Sequence, residues 1–412
     1  MRRRTLFIMI ASAVLAAILI VGVVTAGATG SSSLPTISVP TLLQNVASNA
    51  SKTTAINGDF AWNNGLLGSS SLLALGGNQT PTGLSSLLLG GSGRLWLQDG
   101  KMRLESQGQN GDLVAIVSST TAWTWDSVTS TATRYALPTP ATDTSSPMAA
   151  PSNSLSPTTA IANLIAKLAP TATLSLGDQQ VVAHRDAYIL KLTPTSPTTT
   201  VAAIEVAVDG QRWVPLRLQV FAKDVSGAVL SAGFASVSYK PVAAGLFSFT
   251  PPSGATVAHK DLSNSLQGLQ SAVAEPQATK NASPLTLAQA KSAAPFVLVP
   301  SSTPSGLTFQ GAFATPITSQ GTTTKLAVLH YGSGLGSVVV VETPSSARQD
   351  SQIAQQLGQL SMIGKTTVHG FPATKLQTSL VSALTFTQGG VRVVVAGLVP
   401  FADIEQIAGS LK

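Results

Sequence analysis

The feature that most constrains the fold is a long succession of short segments in which apolar and polar residues alternate. Residues 94–137 and 173–250 together contain about a dozen such segments, each of strand length. Asp99-Gly100 and Asp209-Gly210 lie between segments as hairpin turns. Because the connections are short, successive strands must pair antiparallel, which predicts one large antiparallel sheet that curls. The last of these predicted strands covers residues 246–250.

Two apolar segments with helical spacing interrupt this pattern. Residues 40–50 place Leu42 and Val46 on one side of a helix, and residues 158–168 do the same for Leu164 and Leu168. A curled sheet exposes an apolar concave face that needs a cover. The sequence therefore predicts that both helices lie on the concave side of the sheet.

A second unit follows a polar connector. Residues 258–284 are rich in alanine and polar residues and are predicted to be a linker. Residues 285–412 mix period-two segments, the first at 296–298, with helical segments at 286–293, 347–360 and 401–411. This pattern predicts a small α+β domain after the sheet domain of residues 34–257.

The N-terminus has the pattern of a membrane-directed segment. Arg2, Arg3 and Arg4 precede an apolar run at residues 6–24, which as a helix would be about 28 Å long. Residues 1–28 are therefore either a membrane anchor or a signal peptide cleaved after Ala26-Gly27-Ala28. Both alternatives predict export of the remaining chain, to the extracytoplasmic face of the cell membrane or beyond it.

Residues 63–93 form an unusual insertion of glycine, serine and leucine. It carries an apolar triplet, Leu87, Leu88 and Leu89, within flexible sequence. One interpretation is a loop that packs on the core. The other is a mobile flap over an apolar cavity.

The composition argues against catalysis. Only 10% of the residues are charged, and there are 4 His and no Cys. His184-Arg185-Asp186 lacks the other motifs of a kinase, and the glycines at residues 332–336 join two strands where a dinucleotide fingerprint needs a strand and a helix. The net charge of +7 includes the three N-terminal arginines, and no basic stripe follows. We predict a non-enzymatic protein with no catalytic residue, metal, cofactor or nucleic-acid partner.

What the sequence offers instead is an apolar surface. Alternating positions place Leu95 with Leu97, Met102 with Leu104, and Trp123 with Trp125 on a common face of their strands. These side chains are either sheet core or the lining of a cavity for an acyl chain. The candidate ligand-binding residues are Leu87, Leu88, Leu89, Leu95, Leu97, Met102, Leu104, Trp123, Trp125, Leu164 and Leu168.

Several motifs resemble a known family. They are Gly93-Arg94-Leu95-Trp96, Asp99-Gly100-Lys101-Met102-Arg103-Leu104-Glu105, Trp123-Thr124-Trp125-Asp126-Ser127, Val182-Ala183-His184-Arg185-Asp186 and Phe247-Ser248-Phe249-Thr250-Pro251-Pro252. Over residues 34–257 the sequence resembles the LolA/RseB-like exported bacterial lipoprotein-carrier superfamily, in its actinobacterial form. The resemblance implies a half-open antiparallel β-barrel with helices on its concave face, which holds lipid or lipoprotein acyl chains or, in the RseB branch, senses them while contacting an anti-sigma factor.

Three hypotheses for function follow. The first is a membrane-associated carrier or sensor that binds lipid or lipoprotein acyl chains in an apolar cavity. The second is an RseB-like regulatory protein that acts on a membrane protein partner through its C-terminal domain. The third is a cell-envelope scaffold without a ligand.

Overall fold

The computed structural model describes residues 34–49, 52–66, 90–108, 111–137, 157–261, 284–304, 306–319, 322–345 and 363–412. Its α-helices are α1 (Val39–Asn49), α2 (Pro157–Leu168), α3 (Leu287–Ala293) and α4 (Phe401–Ala408). Three short 3₁₀ helices cover Ala169–Thr171, Ala244–Phe247 and Gly334–Gly336.

The strands of the first unit are β1 (Ala55–Asn64), β2 (Gly90–Gln98), β3 (Lys101–Gly108), β4 (Gly111–Val117), β5 (Thr121–Asp126), β6 (Thr131–Ala136), β7 (Ala172–Val182), β8 (Arg185–Pro194), β9 (Val201–Asp209), β10 (Pro215–Ala222), β11 (Ala228–Phe234) and β12 (Thr256–Asp261). The strands of the second unit are β13 (Phe309–Ser319), β14 (Thr322–Tyr331), β15 (Val338–Pro344), β16 (Ile363–Val368), β17 (Phe371–Gln377), β18 (Ser382–Gln388) and β19 (Val391–Gly397).

The first unit is a single 12-stranded sheet in the order β12-β6-β5-β4-β3-β2-β1-β11-β10-β9-β8-β7. Every described pair is antiparallel except β12 with β6, which is parallel. Asp99 and Gly100 both have positive φ, at 50° and 73°, as the predicted two-residue hairpin requires. The prediction of a mainly β chain with a large open antiparallel sheet is confirmed.

Two glycines of this sheet lie close to the backbone of a neighbouring segment. A Cβ on Gly58 would lie 1.9 Å from the carbonyl oxygen of Ser236, and a Cβ on Gly93 would lie 2.0 Å from that of Glu105. Gly58 alternates with Asn57 along β1, and Gly93 alternates with Arg94 along β2. The pairing of these two strands shows that the Cβ positions of Gly58 and Gly93 face the same side of the sheet. The close backbone at Gly93 belongs to β3, and that at Gly58 belongs to the segment that follows β11.

Gly93→Ala should lower the free energy of unfolding by about 1–3 kcal/mol, because the new methyl group must displace a strand backbone. Gly245→Ala is the matched control, since no atom of the described residues lies within 4 Å of its Cβ position and its φ is not positive. Urea unfolding of both variants measures the difference. Equal stability of the two variants would show that the close approach at Gly93 relaxes without cost.

The second unit is a seven-stranded antiparallel sheet in the order β13-β14-β15-β19-β18-β17-β16. Its core lies between one face of this sheet and the helices α3 and α4. Thr286 begins α3 with a capping box, in which it exchanges hydrogen bonds with Gln289. The residues of the core include Leu329, Tyr331, Val340, Val393, Val395, Ile404 and Ile407.

Some predicted elements differ from the structure. Residues 246–250 contain no strand, because Leu246 lies in a 3₁₀ helix and its carbonyl accepts a hydrogen bond from Arg103 rather than from a ladder. Residues 296–298 contain no strand either, because the N–H of Val297 closes a local turn onto Ala294. In both places apolar residues pack on a sheet without joining it.

Other predictions lie outside the described residues. These are the apolar run at 6–24, most of the glycine and leucine insertion, and the helix at 347–360. Within the described ranges, no helix is both long enough and apolar enough to span a membrane.

Candidate apolar binding layer

Helices α1 and α2 lie together on one face of the first sheet, called here the inner face. Leu42 and Val46 of α1 are spaced four residues apart, and Ile165 and Leu168 of α2 are spaced three apart, so each pair projects from one side of its helix. All four are buried in one cluster. The sheet contributes Tyr188, Leu190, Leu192, Ile204, Val206 and Leu218 to it. We call this assembly of α1, α2 and inner-face side chains the helix layer.

The strand register shows that the inner face continues beyond the helices. Leu218 is paired with Ala232, and Ala232 with Trp62, so alternation along β1 places Phe60 and Gly58 on the inner face as well. Gly58 is in turn paired with Leu95. The face that carries the helices is therefore also the face toward which the Cβ positions of Gly58 and Gly93 point.

Four of the candidate residues lie together on this inner face. Leu95 is paired with Leu104, and Leu97 with Met102, across β2 and β3. Leu95 and Leu97 are buried at 7% and 8% exposure, and Met102 and Leu104 pack partly buried against the same cluster, which is distinct from that of the helix layer. The structure thus brings these four residues together, as alternation predicts.

The two candidate tryptophans lie on the opposite face. Trp123 is paired with Ile116, and Ile116 with Arg103, all three of which alternate with the inner-face residues of their strands. The ring of Trp123 lies 5.4 Å from that of Phe249. Trp125 lies two residues after Trp123 in β5 and therefore on the same outer face. A single inner cavity therefore cannot include the tryptophans together with the four residues of β2 and β3.

The remaining candidates divide between helix α2 and the insertion. Leu168 is buried in the helix layer, and Leu164 is half-buried against it. Leu87, Leu88 and Leu89 lie outside the described residues.

A contribution from the second unit was not predicted by the sequence analysis. Leu380, on the turn between β17 and β18, is 2% exposed and belongs to the same buried cluster as Leu42 and Leu168. Val381, Leu335 and Leu398, also from the second unit, pack partly buried against this cluster. The only signal in the sequence was an apolar pair, Leu380-Val381, at a position where a hairpin turn is normally polar.

Polar groups are sparse at the helix layer. The hydroxyl of Tyr188 donates to the carbonyl of Pro35 at 2.8 Å, and its ring stacks on Trp213 at a centroid distance of 5.8 Å. Burial raises the pKa of Tyr188, which keeps the phenol neutral. In the described ranges, no group of three or more His, Asp or Glu residues could hold a metal ion. The layer can bury apolar surface, and its few polar contacts position the chain that enters α1.

A buried polar network lies apart from the helix layer, at the turn between β9 and β10. Asp209 is fully buried and accepts hydrogen bonds from Arg185, from Tyr239 and from two backbone N–H groups. It holds Arg185 of the His184-Arg185-Asp186 segment in an ion pair of 2.8 Å. This network stabilises the end of the sheet.

No protein-family model matches the chain, and no curated protein sequence matches it. Among solved structures, the chain is similar to MucB in complex with MucA(peri), at 15% identity over 90% of this chain and 98% of that one with a TM-score of 0.41. It is also similar to the MucA/MucB complex of Pseudomonas aeruginosa, at 14% identity over 90% and 97% with a TM-score of 0.39. A LolA superfamily protein of Nitrosomonas europaea matches at 9% identity over 52% and 99% with a TM-score of 0.20.

Proposed function

We propose that this protein is a non-enzymatic, exported and membrane-associated protein that binds lipid or lipoprotein acyl chains between the inner face of its first sheet and helices α1 and α2. The observation that carries this proposal is the construction of the helix layer. Two helices of 11 and 12 residues contact the sheet through aliphatic side chains. An acyl chain offers the same kind of surface as these side chains and can take their place.

The energetics favour a ligand of this chemistry. Transfer of apolar surface from water contributes about 25 cal/mol per Å², or about 0.8 kcal/mol for each methylene group. A bound acyl chain with about ten buried methylenes would gain on the order of 8 kcal/mol before the costs of ordering it. Because few polar groups face the layer, recognition depends on area and shape, and we expect chains of different length and headgroup to bind.

The proposed location rests on the N-terminal sequence. Three arginines before the apolar run at 6–24 place the N-terminus in the cytoplasm and the two units outside the membrane. A retained anchor would hold the helix layer close to the lipid that it binds. A cleaved signal would release it as a diffusing carrier.

Native mass spectrometry of the full chain, purified and exchanged out of detergent, tests the proposal. We expect co-purified lipid, and saturable uptake of a fluorescent fatty acid by the same preparation. A chain that carries no lipid and takes up no probe, although folded by circular dichroism, would support the scaffold hypothesis instead.

Leu164→Asn should weaken binding of the fluorescent fatty acid several-fold, because it places an amide against the apolar layer. Ala166→Asn introduces the same side chain two residues later, at an exposed position of α2, and is the matched control. The two variants carry the same polar group on the same helix, so a difference in probe affinity reports the layer itself. Equal probe affinity in both variants would place the ligand elsewhere.

Substitutions in the insertion test the binding of acyl chains independently of the helix variants. If residues 63–93 cover the ligand, replacing Leu87, Leu88 and Leu89 with Ser should weaken probe binding while the melting temperature changes little. A large loss of stability with unchanged probe binding would mean that these leucines pack in the core.

A regulatory role is the second candidate, and the burial of Leu380 in the helix layer favours it. A carrier should deliver its probe to acceptor vesicles, whereas a sensor should retain the probe and change its second unit. Transfer of the fluorescent fatty acid from the loaded full chain to vesicles distinguishes these two roles.

A further inference from the structure

In the contact between the two units, hydroxyl groups of the first unit donate hydrogen bonds to backbone carbonyls of the second unit. The hydroxyl of Thr199 lies 2.9 Å from the carbonyl oxygen of Leu335 and 3.0 Å from that of Leu398. The hydroxyl of Thr200 donates to the carbonyl of Leu380 at 2.6 Å, and its backbone N–H donates to Leu398 at 2.9 Å. Thr199 is 2% exposed, so these bonds lie inside the contact.

The glycine-rich loop at residues 332–336 is part of the same contact. A Cβ on Gly334 would lie 2.2 Å from the hydroxyl oxygen of Thr171, and a Cβ on Gly336 would lie 2.0 Å from that of Ser196. Thr171 and Ser196 belong to the first unit. The two units approach each other here without room for side chains. Both positions therefore require glycine.

The contact continues directly into the helix layer. Leu380 shares a buried cluster with Leu168 at the C-terminal end of α2. The 3₁₀ helix Gly334–Gly336 touches both α2 and the adjoining 3₁₀ helix Ala169–Thr171. Leu168 and Leu380 are both buried in this one cluster, to which α2 and the second unit each contribute. Movement of α2 off the inner face, or departure of the second unit, would therefore open the cluster to solvent.

We infer that the second unit controls access of a ligand to the helix layer. Displacement of α2 by a ligand and loosening of the contact between the two units are then one coupled transition. The inference rests on the proposed function for the identity of the ligand. The coupling itself is a property of the two units and is reciprocal: whatever holds the second unit in place also holds α2, and whatever displaces α2 weakens the contact.

A reversible disulfide tests the coupling in one direction. The chain has no Cys, so Ser196→Cys with Gly336→Cys introduces the only two thiols. The Cβ position of Gly336 lies 2.6 Å from the Cβ of Ser196, which a small shift brings to the roughly 3.8 Å of a disulfide. In the oxidised double variant we expect uptake of the fluorescent fatty acid to slow at least tenfold, and amide exchange in α2 to slow similarly. Reduction of the same sample should raise both rates to at least those of the wild type, because the added side chain at position 336 then pushes against position 196 without being tied to it.

Loosening the contact tests the opposite direction. Gly336→Val should accelerate amide exchange in α2 and probe uptake several-fold, because its side chain forces Ser196 away. Gly245→Val is the control, since its Cβ position is open. If the cysteine pair does not oxidise, Gly336→Val alone tests whether loosening the contact between the units frees α2.

The outcomes separate the two proposals. If no form takes up the probe, the proposed function fails, and the exchange rates of α2 still decide the coupling. If the probe binds but α2 exchanges at the same rate in the oxidised, reduced and Gly336→Val forms, the coupling is overturned and the proposed function stands.

Discussion

Glu342→Gln is expected to stabilise the protein by several kcal/mol at pH 9 and to change its stability little at pH 5. Glu342 is fully buried at the centre of the second sheet, between Ala327 of β14 and Val393 of β19. One carboxyl oxygen accepts the N–H of Leu298 at 3.0 Å. Among the described residues, the other oxygen has no hydrogen-bond partner, and neither has the nearby hydroxyl of Tyr331. An ionised carboxylate is costly in such a site.

The direction of the pH dependence follows from the pKa. Burial raises the pKa of Glu342 from 4.5 to about 8, although the N–H of Leu298 and the charge of Lys291 lower it. The folded state therefore keeps its proton where the unfolded state has lost it. The stability that Glu342 contributes is fully present below about pH 4.5, and it falls by about 1.4 kcal/mol per pH unit until about pH 8. The total loss is on the order of 5 kcal/mol.

Glutamine remains neutral at every pH and should flatten this slope. Urea unfolding of the wild type and the variant at pH 5, 7 and 9, followed by circular dichroism, measures the difference. Glu405→Gln, which makes the same change at an exposed position of α4, is the matched control. A pH-independent difference between Glu342→Gln and the wild type would show that the buried carboxyl is already ionised at neutral pH.

The sequence predicted the local elements of the sheet well and its long-range pairing less well. Strand alternation and the Asp99-Gly100 turn are local signals, and they identified β2, β3 and the hairpin between them. The parallel pairing of β12 with β6 depends on the path of the chain between β11 and β12, where Phe249 packs against Trp123 on the outer face. No short-range pattern carries such information, so β12 was assigned in part to the linker.

The candidate site shows the same limit. The pairs Leu95 with Leu97 and Met102 with Leu104 could be predicted from alternation, because each pair lies within one strand. Whether two strands direct their large side chains to the same face depends on the register between them, and this places Trp123 on the outer face. Leu380 could not be assigned to the helix layer from sequence, because its partners lie in the other unit.

Asp209→Ala is expected to cost about 3–5 kcal/mol of stability, which is typical when one partner of a buried ion pair is removed. Its two carboxyl oxygens accept from Nε of Arg185 and the hydroxyl of Tyr239, each at 2.8 Å, and from the N–H groups of Gln211 and Arg212 at 2.8 and 2.9 Å. The substitution leaves these donors without their acceptor. Asp224→Ala, at an exposed position between β10 and β11, is the control and should cost less than about 0.5 kcal/mol.

The pH dependence of Asp209 has the opposite sign to that of Glu342. Burial alone would raise the pKa of Asp209, but the guanidinium of Arg185, the two N–H groups and the hydroxyl of Tyr239 outweigh it and hold the pKa below its usual value of 3.8. The stability from Asp209 is therefore present above about pH 4 and is lost as the pH falls through its lower folded pKa. Asp209→Asn should reduce the acid sensitivity of the first unit, measured by tryptophan fluorescence between about pH 2 and 5, because all five tryptophans lie in that unit. An unchanged acid transition would mean that other carboxylates unfold this unit, and that the buried network at the turn between β9 and β10 opens only after they do.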